Sequence, residues 1–449
     1  MREERLGNEN ILKLVVAMAL PAMMTMAFQA LYNAFDSIFI SRWSSFDFAA
    51  ISITQPVISI SLAIGTGVAT GMGALVSRYL GAGERRRGSA AMYAGLIMLS
   101  FLALLLTLLP LIFSKAFMAA FTSDGNGIFQ GASYLRIVAL AFPFAFSAFF
   151  FSFAFSSHAH SAHAMVIQSI GAVLNIILDP VFIFTLGLGA RGAALATLIG
   201  HVASALTGLV LYLRSDLLRP EKSPLADNVK GIITVALPSM MIAAAGSITG
   251  LVLNRLVLSY GMDAMAIYSM YLKLESFMFL ASQGIGSALI VIVSYNYGAG
   301  QWDRVRKAYF VSLFLAWSVM LLGFLFFQTC THALVGLFTS DPALTEEGVK
   351  AFRLISFCFL LTAPNIMTSS LLQGLGRGKG SLVLTMMRFF LFLIPAAFIL
   401  NALFGLSGLY LSYFAADVLV LIPVITMASG ALKGQKPPQG FNWLQQKRI

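Results

Sequence analysis

The sequence predicts an all-α integral membrane protein, with twelve transmembrane helices in two pseudo-symmetric six-helix bundles. Three observations predict it: composition, the recurrence of long apolar runs, and an internal repeat. Of 449 residues, 59% are hydrophobic and only 10% are charged, whereas soluble domains carry about 25% charged residues. The apolar runs are near 20 residues long, which at about 1.5 Å rise per residue crosses a hydrocarbon core about 30 Å thick. The longest polar stretch, Arg214 to Lys230, is too short to build a core, which excludes a soluble catalytic domain. The alternation of a membrane β-barrel is absent.

Taken in order, the first half reads as spans at residues 12–40, 49–78, 90–113, 129–156, 163–187 and 192–213. A mixed-charge segment precedes the first span, and no small-residue cleavage site follows it, so the segment is expected to be retained. A short Gly-rich turn joins the fifth span to the sixth. The second half reads as 231–258, 264–294, 307–329, 347–373, 380–403 and 407–430. Pro21, Pro56, Pro143, Pro180, Pro238, Pro364, Pro395 and Pro423 all fall inside these spans, where each allows a bend. Cys330 and Cys358 lie in or beside apolar segments, with no disulfide framework or metal spacing, and read as packing residues.

The net charge of +11 does not form a nucleic-acid-binding stripe. With the N-terminus inside, 20 of the 29 basic residues fall on the cytoplasmic side, among them Arg5, Arg78, Arg85 to Arg87, Arg304, Arg306 and Lys433. The positive-inside rule therefore places both termini in the cytoplasm.

The repeat appears at an offset of 217 residues. Ala19-Leu20-Pro21 with Met23-Met24 recurs as Ala236-Leu237-Pro238 with Met240-Met241. Gly81-Ala82-Gly83 recurs as Gly298-Ala299-Gly300, Phe121-Thr122-Ser123-Asp124 as Phe338-Thr339-Ser340-Asp341, and Arg136 as Arg353. Each half then holds an even number of spans and has the same orientation, so an axis along the membrane normal relates the halves. The division reads as an N-lobe over 1–216, a cytoplasmic linker over 217–230 and a C-lobe with a tail over 231–449. Two such bundles can rock about a shared cavity, which is transporter architecture; a duplicated structural or lipid-modifying protein is the bland alternative.

An ionisable side chain inside a span is a functional candidate because burying its charge is costly. Asp36 shares a helical face of the first span with Gln29, Tyr32 and Asn33. Asn175 and Asp179 lie in the fifth span and Thr197 in the sixth, at about the depth of Asp36. Two carboxylates with amide and hydroxyl oxygens at one depth suit H⁺ or a hard cation such as Na⁺, which makes Asp36, Asn175, Asp179 and Thr197 the ion-coupling and metal candidates. Capping by Asp36 and support of the Pro180 kink by Asp179 are the structural alternatives. In the second half, Lys273, Glu275, Arg388 and Asp417 read equally well as a structural network or as cavity lining. His158, His160 and His163 occupy a turn whose repeat counterpart, Gln373 to Gly380, is basic, so they read as headgroup-facing. His201 reads as a packed residue. No phosphate-binding loop and no hydrolase pattern is present, so neither ATP drive nor an enzyme is expected, and the energy source would be an ion gradient.

Over residues 11 to 433 the chain resembles the multidrug and toxic compound extrusion (MATE) family of the MOP flippase superfamily. The resemblance rests on the paired Leu-Pro helix starts, the Gly-Ala-Gly turns, Ser294-Tyr295-Asn296-Tyr297-Gly298-Ala299-Gly300, Leu174-Asn175 with Leu178-Asp179-Pro180, and Gly192-Ala193-Ala194-Leu195-Ala196-Thr197. It implies a V-shaped pair of lobes exporting amphipathic organic cations in exchange for H⁺ or Na⁺, with no cofactor and no nucleic-acid partner. Membrane lipids and small cations are the expected partners, and a monomer the expected state. Asp36 matches the first-helix aspartate of the DinF-like branch, with Asn175, Asp179 and Thr197 matching its cation site. The glutamate that other branches carry in the seventh helix is missing from Ala243-Ala244-Ala245-Gly246-Ser247. The stretch Tyr271 to Phe277 looks like the MepA-like drug exporters, although Glu275 departs from their pattern. A flippase for a lipid-linked saccharide or peptidoglycan precursor is the alternative, and Arg255, Lys273 and Arg388 keep it in play.

Overall fold

The computed structural model describes residues 4–336 and 341–433, and these are mostly helical with no strand among them. Of the repeat motifs, Phe338-Thr339-Ser340 lies outside the described residues, as do Arg2, Lys436, Lys447 and Arg448 of the charge pattern.

The first six spans are α1 (Ile11–Trp43), α2 (Gln55–Gly81), α3 (Arg85–Ala119), α4 (Gly125–Ser157), α5 (Ser161–Pro180, running on through wide π turns to Thr185) and α6 (Ala190–Leu213). Local chemistry sets their ends. Asn10 caps α1 by accepting from the Leu12 and Lys13 amides, and Asp124 caps α4 by accepting from the Gly127 amide, which satisfies donors that a helix start leaves open. Gly187 and Gly189 take positive φ in the turn between α5 and α6, a conformation that costs glycine little.

The second six are α7 (Ala226–Leu258), α8 (Met262–Gly298), α9 (Trp302–Thr329), α10 (Pro342–Ser356 with Phe359–Gly374), α11 (378–404) and α12 (406–432). Among the described residues, ten helical stretches are long and apolar enough to cross a membrane. The two parts of α10, bent by 42°, supply an eleventh. The 55-residue stretch Gly378–Leu432 is broken by non-helical Gly405, which makes it two spans and gives the twelfth.

The structure departs from the sequence reading at three points. The second span does not begin at residue 49: Ser45–Ser52 is a separate short helix capped by Ser44, and α2 starts at Gln55. Pro56 therefore sits in the first turn, where its missing N–H costs no hydrogen bond, and it does not bend the span. The tenth span is not a single straight rod. Pro110, inside α3, joins the prolines found within spans.

The halves exchange contacts at one end. The N-terminal segment docks on the second half, where Asn296 Nδ2 donates to the Leu6 carbonyl at 3.0 Å and Arg304 Nη2 donates to the Leu6 and Glu9 carbonyls at 3.0 and 2.9 Å. The linker docks on the first half: the Tyr212 hydroxyl donates to the Leu218 carbonyl and the Glu221 amide donates to the Ser89 carbonyl at 3.3 Å. Glycines carry the same exchange into the spans. A Cβ on Gly67 of α2 would lie 2.9 Å from Met240 of α7, and one on Gly284 of α8 would lie 2.5 Å from Met23 of α1. Gly67 and Gly284, like Met23 and Met240, are repeat partners at offset 217. Arg78 crosses too, donating from Nη2 to the Gly374 carbonyl at 3.1 Å with its guanidinium over the Tyr297 ring. Both Gly-Ala-Gly turns, the linker, the start of α1 and the end of α12 gather at this end.

Candidate functional site

Three adjoining cavities run along α1 through the first half. The one nearest the Gly-Ala-Gly end holds ≈ 320 Å³ between Met18, Thr25, Gln29, Thr70, Ser156 and Gln168, with Ser287 and Ala288 of α8 closing one side. The next, ≈ 210 Å³, shares Gln29 and Gln168 and is lined by Tyr32, Asn33, Asn175, Thr197 and His201. The third, ≈ 310 Å³, shares Tyr32, Asn33, Thr197 and His201 and adds Asp36 and Tyr134. Gln29, Tyr32, Asn33 and Asp36 thus project from one face of α1 along the cavities, as their 3–4–7 spacing requires.

The site is built where α1, α5 and α6 meet. Gly171 and Gly200 let α5 and α6 touch, since a Cβ on either would lie within 2.6–2.7 Å of the other's carbonyl oxygen. One turn further on, this close approach brings Asn175 beside Thr197: Asn175 Nδ2 lies 3.3 Å from Thr197 Oγ1 and 3.3 Å from Asp179 Oδ1. With the amide turned over, Nδ2 donates to Asp179 Oδ2 at 3.0 Å and Oδ1 accepts from the Thr197 amide at 3.0 Å, and this orientation satisfies both ends. The Tyr32 hydroxyl adds a contact to Thr197 Oγ1 at 3.4 Å. Asp179 is fully buried and Asp36 is 7% exposed.

Asp36 differs from Asp179 in one respect that matters. Its Oδ1 is buried with no hydrogen-bond partner among the described residues. Asp36 and Asp179 are within electrostatic reach of one another, and Tyr32 and Tyr134 are within reach of both. A buried carboxylate oxygen without a donor is costly, so this position favours whatever neutralises it.

The sequence puts Asp36, Asp179 and Thr197 at one depth; in the structure Tyr32, Asp36, Asn175 and Thr197 line the cavities, while Asp179 lies behind them, held through Asn175. Sequence reasoning missed Tyr134 and Gln168. It also read His201 as packing, whereas His201 lines two of the cavities; the signal was its position four residues after Thr197, one turn along the same face of α6.

In the second half, Arg388 and Asp417 form a bidentate pair, Nε to Oδ1 at 2.6 Å and Nη2 to Oδ2 at 3.2 Å. Thr362 Oγ1 donates to Asp417 Oδ2 at 2.6 Å. Glu275 is half-buried and within electrostatic reach of this pair, while Lys273 is exposed. Of these, Arg388 lines a cavity of ≈ 540 Å³, and Lys273 and Glu275 are not among its lining residues. In the histidine turn, His158 differs from expectation, while His160 and His163 are partly exposed. His158 is fully buried, with Nδ1 against the Ala154 carbonyl at 2.8 Å and Nε2 against the Leu218 amide at 3.5 Å. It joins α4 to the linker and does not face a lipid headgroup.

Comparisons with known proteins agree with this architecture. A family model described as MatE matches residues 21–181 and 238–399, one stretch in each half. The multidrug export protein MepA of Staphylococcus aureus (strain N315) is 29% identical over 437 residues, covering 93% of this chain and 94% of that protein. Among solved structures, a MATE protein in complex with MaL6 superposes with a TM-score of 0.91 at 24% identity, over 97% of this chain and all of the other. The outward-facing conformation of a multidrug resistance MATE family transporter of the MOP superfamily gives a TM-score of 0.91 at 23% identity, over 97% of this chain and 99% of the other.

Proposed function

The chain belongs to the MatE family, and from that premise we propose that it is a secondary active efflux transporter, exporting amphipathic organic cations in exchange for H⁺ or Na⁺ by alternating access. The observation that carries the reading is buried Asp36, whose Oδ1 has no partner among the described residues and which lines a cavity with Tyr32 and Thr197. A proton on Asp36 removes the charge. A sodium ion held by carboxylate, amide and hydroxyl oxygens from Asp36, Asn175, Asp179 and Thr197 meets the preference of a hard cation for oxygen ligands. A substrate cation in the adjoining cavities does the same electrostatically, so ion and substrate compete for one negative site. Competition of that kind couples inward ion flow to outward substrate flow without ATP.

The sealed Gly-Ala-Gly end is the cytoplasmic end in this reading, because the basic residues Arg5, Arg78, Arg85 to Arg87, Arg304 and Arg306 collect there. Both termini then lie in the cytoplasm of a bacterial cell, beneath the inner membrane. The lobes, 1–216 and 231–449 joined by the linker 217–230, rock about the glycine contacts of α2 and α8. One chain contains both lobes and works as a monomer. Large exposed apolar side chains such as Leu251, Phe314 and Ile422 face membrane lipid.

Flipping of a lipid-linked pyrophosphate would call for unpaired cations in the cavity. Arg388 is instead tied to Asp417.

Dye efflux from proteoliposomes, with pH and sodium gradients imposed separately, tests the reading. Wild-type protein is expected to export a cationic dye under at least one gradient, and Asp36→Asn to lose that export while still binding detergent-solubilised lipid and eluting as a folded monomer. Gradient-driven export that persists in Asp36→Asn would overturn the assignment.

A further inference from the structure

The second half contains a cavity that the coupling reading does not use. It is lined by α7, α8, α10 and α11 and holds ≈ 540 Å³, within the range of small-molecule sites. It is the repeat counterpart of the first-half cavities: at offset 217, Leu62, Thr66, Phe149 and Gln168 correspond to Phe279, Gln283, Ile366 and Thr385, which line it. Its chemistry is different. Asp36 has Leu253 as its counterpart, and no carboxylate is among the lining residues.

The groups that replace the carboxylates are neutral hydrogen-bonding ones. Gln283, Asn365 and Ser369 offer both donors and acceptors, Thr385, which donates to the Ser381 carbonyl, offers an acceptor, and Phe279 and Phe389 supply aromatic faces. The one charged lining residue is Arg388, and its charge is already met. Nε and Nη2 bind Asp417, Nη2 also reaches Thr362 at 3.4 Å, and Asp417 is fully buried. Nη1 has no partner among the described residues. The pair therefore presents a fixed donor without a net charge. Gly246 makes the room: a Cβ there meets nothing within 4 Å, where the counterpart Gln29 fills the first-half cavity.

We propose that this second-half cavity is a separate binding site for uncharged polar aromatic compounds, with a ring against Phe279 and Phe389 and a carbonyl or amide oxygen accepting from Arg388 and Gln283. A cation would lose its hydration there with no carboxylate in the cavity wall to replace it, since Glu275 is not among the lining residues, and an anion would meet Asp417 behind the guanidinium. The first half would then take cations and the second half neutral compounds. This inference goes beyond the export reading and does not depend on it, because binding requires no gradient.

The test is equilibrium binding to purified full-length protein in detergent, followed by fluorescence, of a neutral aromatic amide dye and its quaternary-ammonium derivative. Gly246→Phe places a ring in the cavity, and Gln283→Leu removes an amide from an exposed position in it. The neutral dye is expected to lose at least tenfold in affinity in Gly246→Phe and several-fold in Gln283→Leu, while binding of the quaternary dye is unchanged in both. Gly430→Phe, also in open space but away from the cavity, controls for the added ring. Neutral-dye binding that survives both cavity variants, or that falls equally in the Gly430 control, would overturn the proposal. A quaternary dye displaced by Gly246→Phe as strongly as the neutral one would overturn the division by charge.

Discussion

Gly81 and Gly298 are partners in the internal repeat, and each sits against the backbone of the other's helix. A Cβ on Gly81 would lie 2.0 Å from the Tyr295 carbonyl oxygen, and a Cβ on Gly298 would lie 2.0 Å from the Arg78 carbonyl oxygen. Tyr295 and Arg78 are themselves 217 residues apart. The contact is thus made twice about one pseudo-two-fold axis, and it joins the two halves at that end.

Backbone contact this close leaves no space for a methyl group. Overpacking of this kind costs about 1–3 kcal/mol, so Gly81→Val and Gly298→Val are each expected to force the two halves apart at that end. By symmetry the two variants should behave alike. Cysteine labelling of the Gly-Ala-Gly turns from the adjacent compartment reads the opening, with faster labelling expected in both variants. Unchanged labelling would show that the contact does not hold the end closed.

A second glycine pair sets the geometry of the proposed ion site. Gly200→Ala would set a Cβ 2.7 Å from the Gly171 carbonyl oxygen and push α5 from α6, separating Asn175 from Thr197 while leaving both carboxylates in place. About 1.4 kcal/mol of lost site geometry is about a tenfold change in affinity. The expected outcome is a loss of that order in sodium-induced or proton-linked thermal stabilisation, with the fold retained. Equal ion stabilisation in variant and wild type would separate the site from the α5–α6 contact.

His158 gives the protein a dependence on pH outside the spans. Burial pushes its imidazole down to about 4, opposed by the hydrogen bond to the Ala154 carbonyl and aided by the nearby His160 and Arg85. The tautomer with its proton on Nδ1 satisfies both Ala154 and the Leu218 amide, and protonating Nε2 sets donor against donor. The folded value lies below the unfolded value of about 6.5, so the neutral ring's contribution is complete above about pH 6.5. It is lost as pH falls towards 4, by about 3 kcal/mol in total. Thermal melting at pH 7.5 and 4.5 should show a smaller acid loss in His158→Gln than in wild type. Equal losses would place the acid sensitivity elsewhere.

Much of this was legible in the chain itself. Run length and charge spacing gave the spans, because a helix crossing hydrocarbon must be apolar along its whole length. The offset of 217 gave the duplication. Asp36, Asn175, Asp179 and Thr197 stood out because polar groups are rare in such helices and share a depth that residue counting alone can compare. Boundaries failed where local chemistry overrode hydropathy: the Ser44 cap splits off a short helix before Gln55, and Gly405 turns the chain inside an unbroken apolar run.

Packing between segments decided the rest. That Gly171 and Gly200 face each other, that Gly81 meets Tyr295, that Arg388 spends its charge on Asp417, and that His158 turns inward to the linker all depend on which helices are neighbours and at what rotation. One sequence therefore determined the number, order and duplication of the membrane helices, since each must satisfy its own backbone in lipid. Only the tertiary structure decided which polar atoms are paired and which, like Asp36 Oδ1, have no partner among the described residues, because the partners that distinguish them come from neighbouring helices.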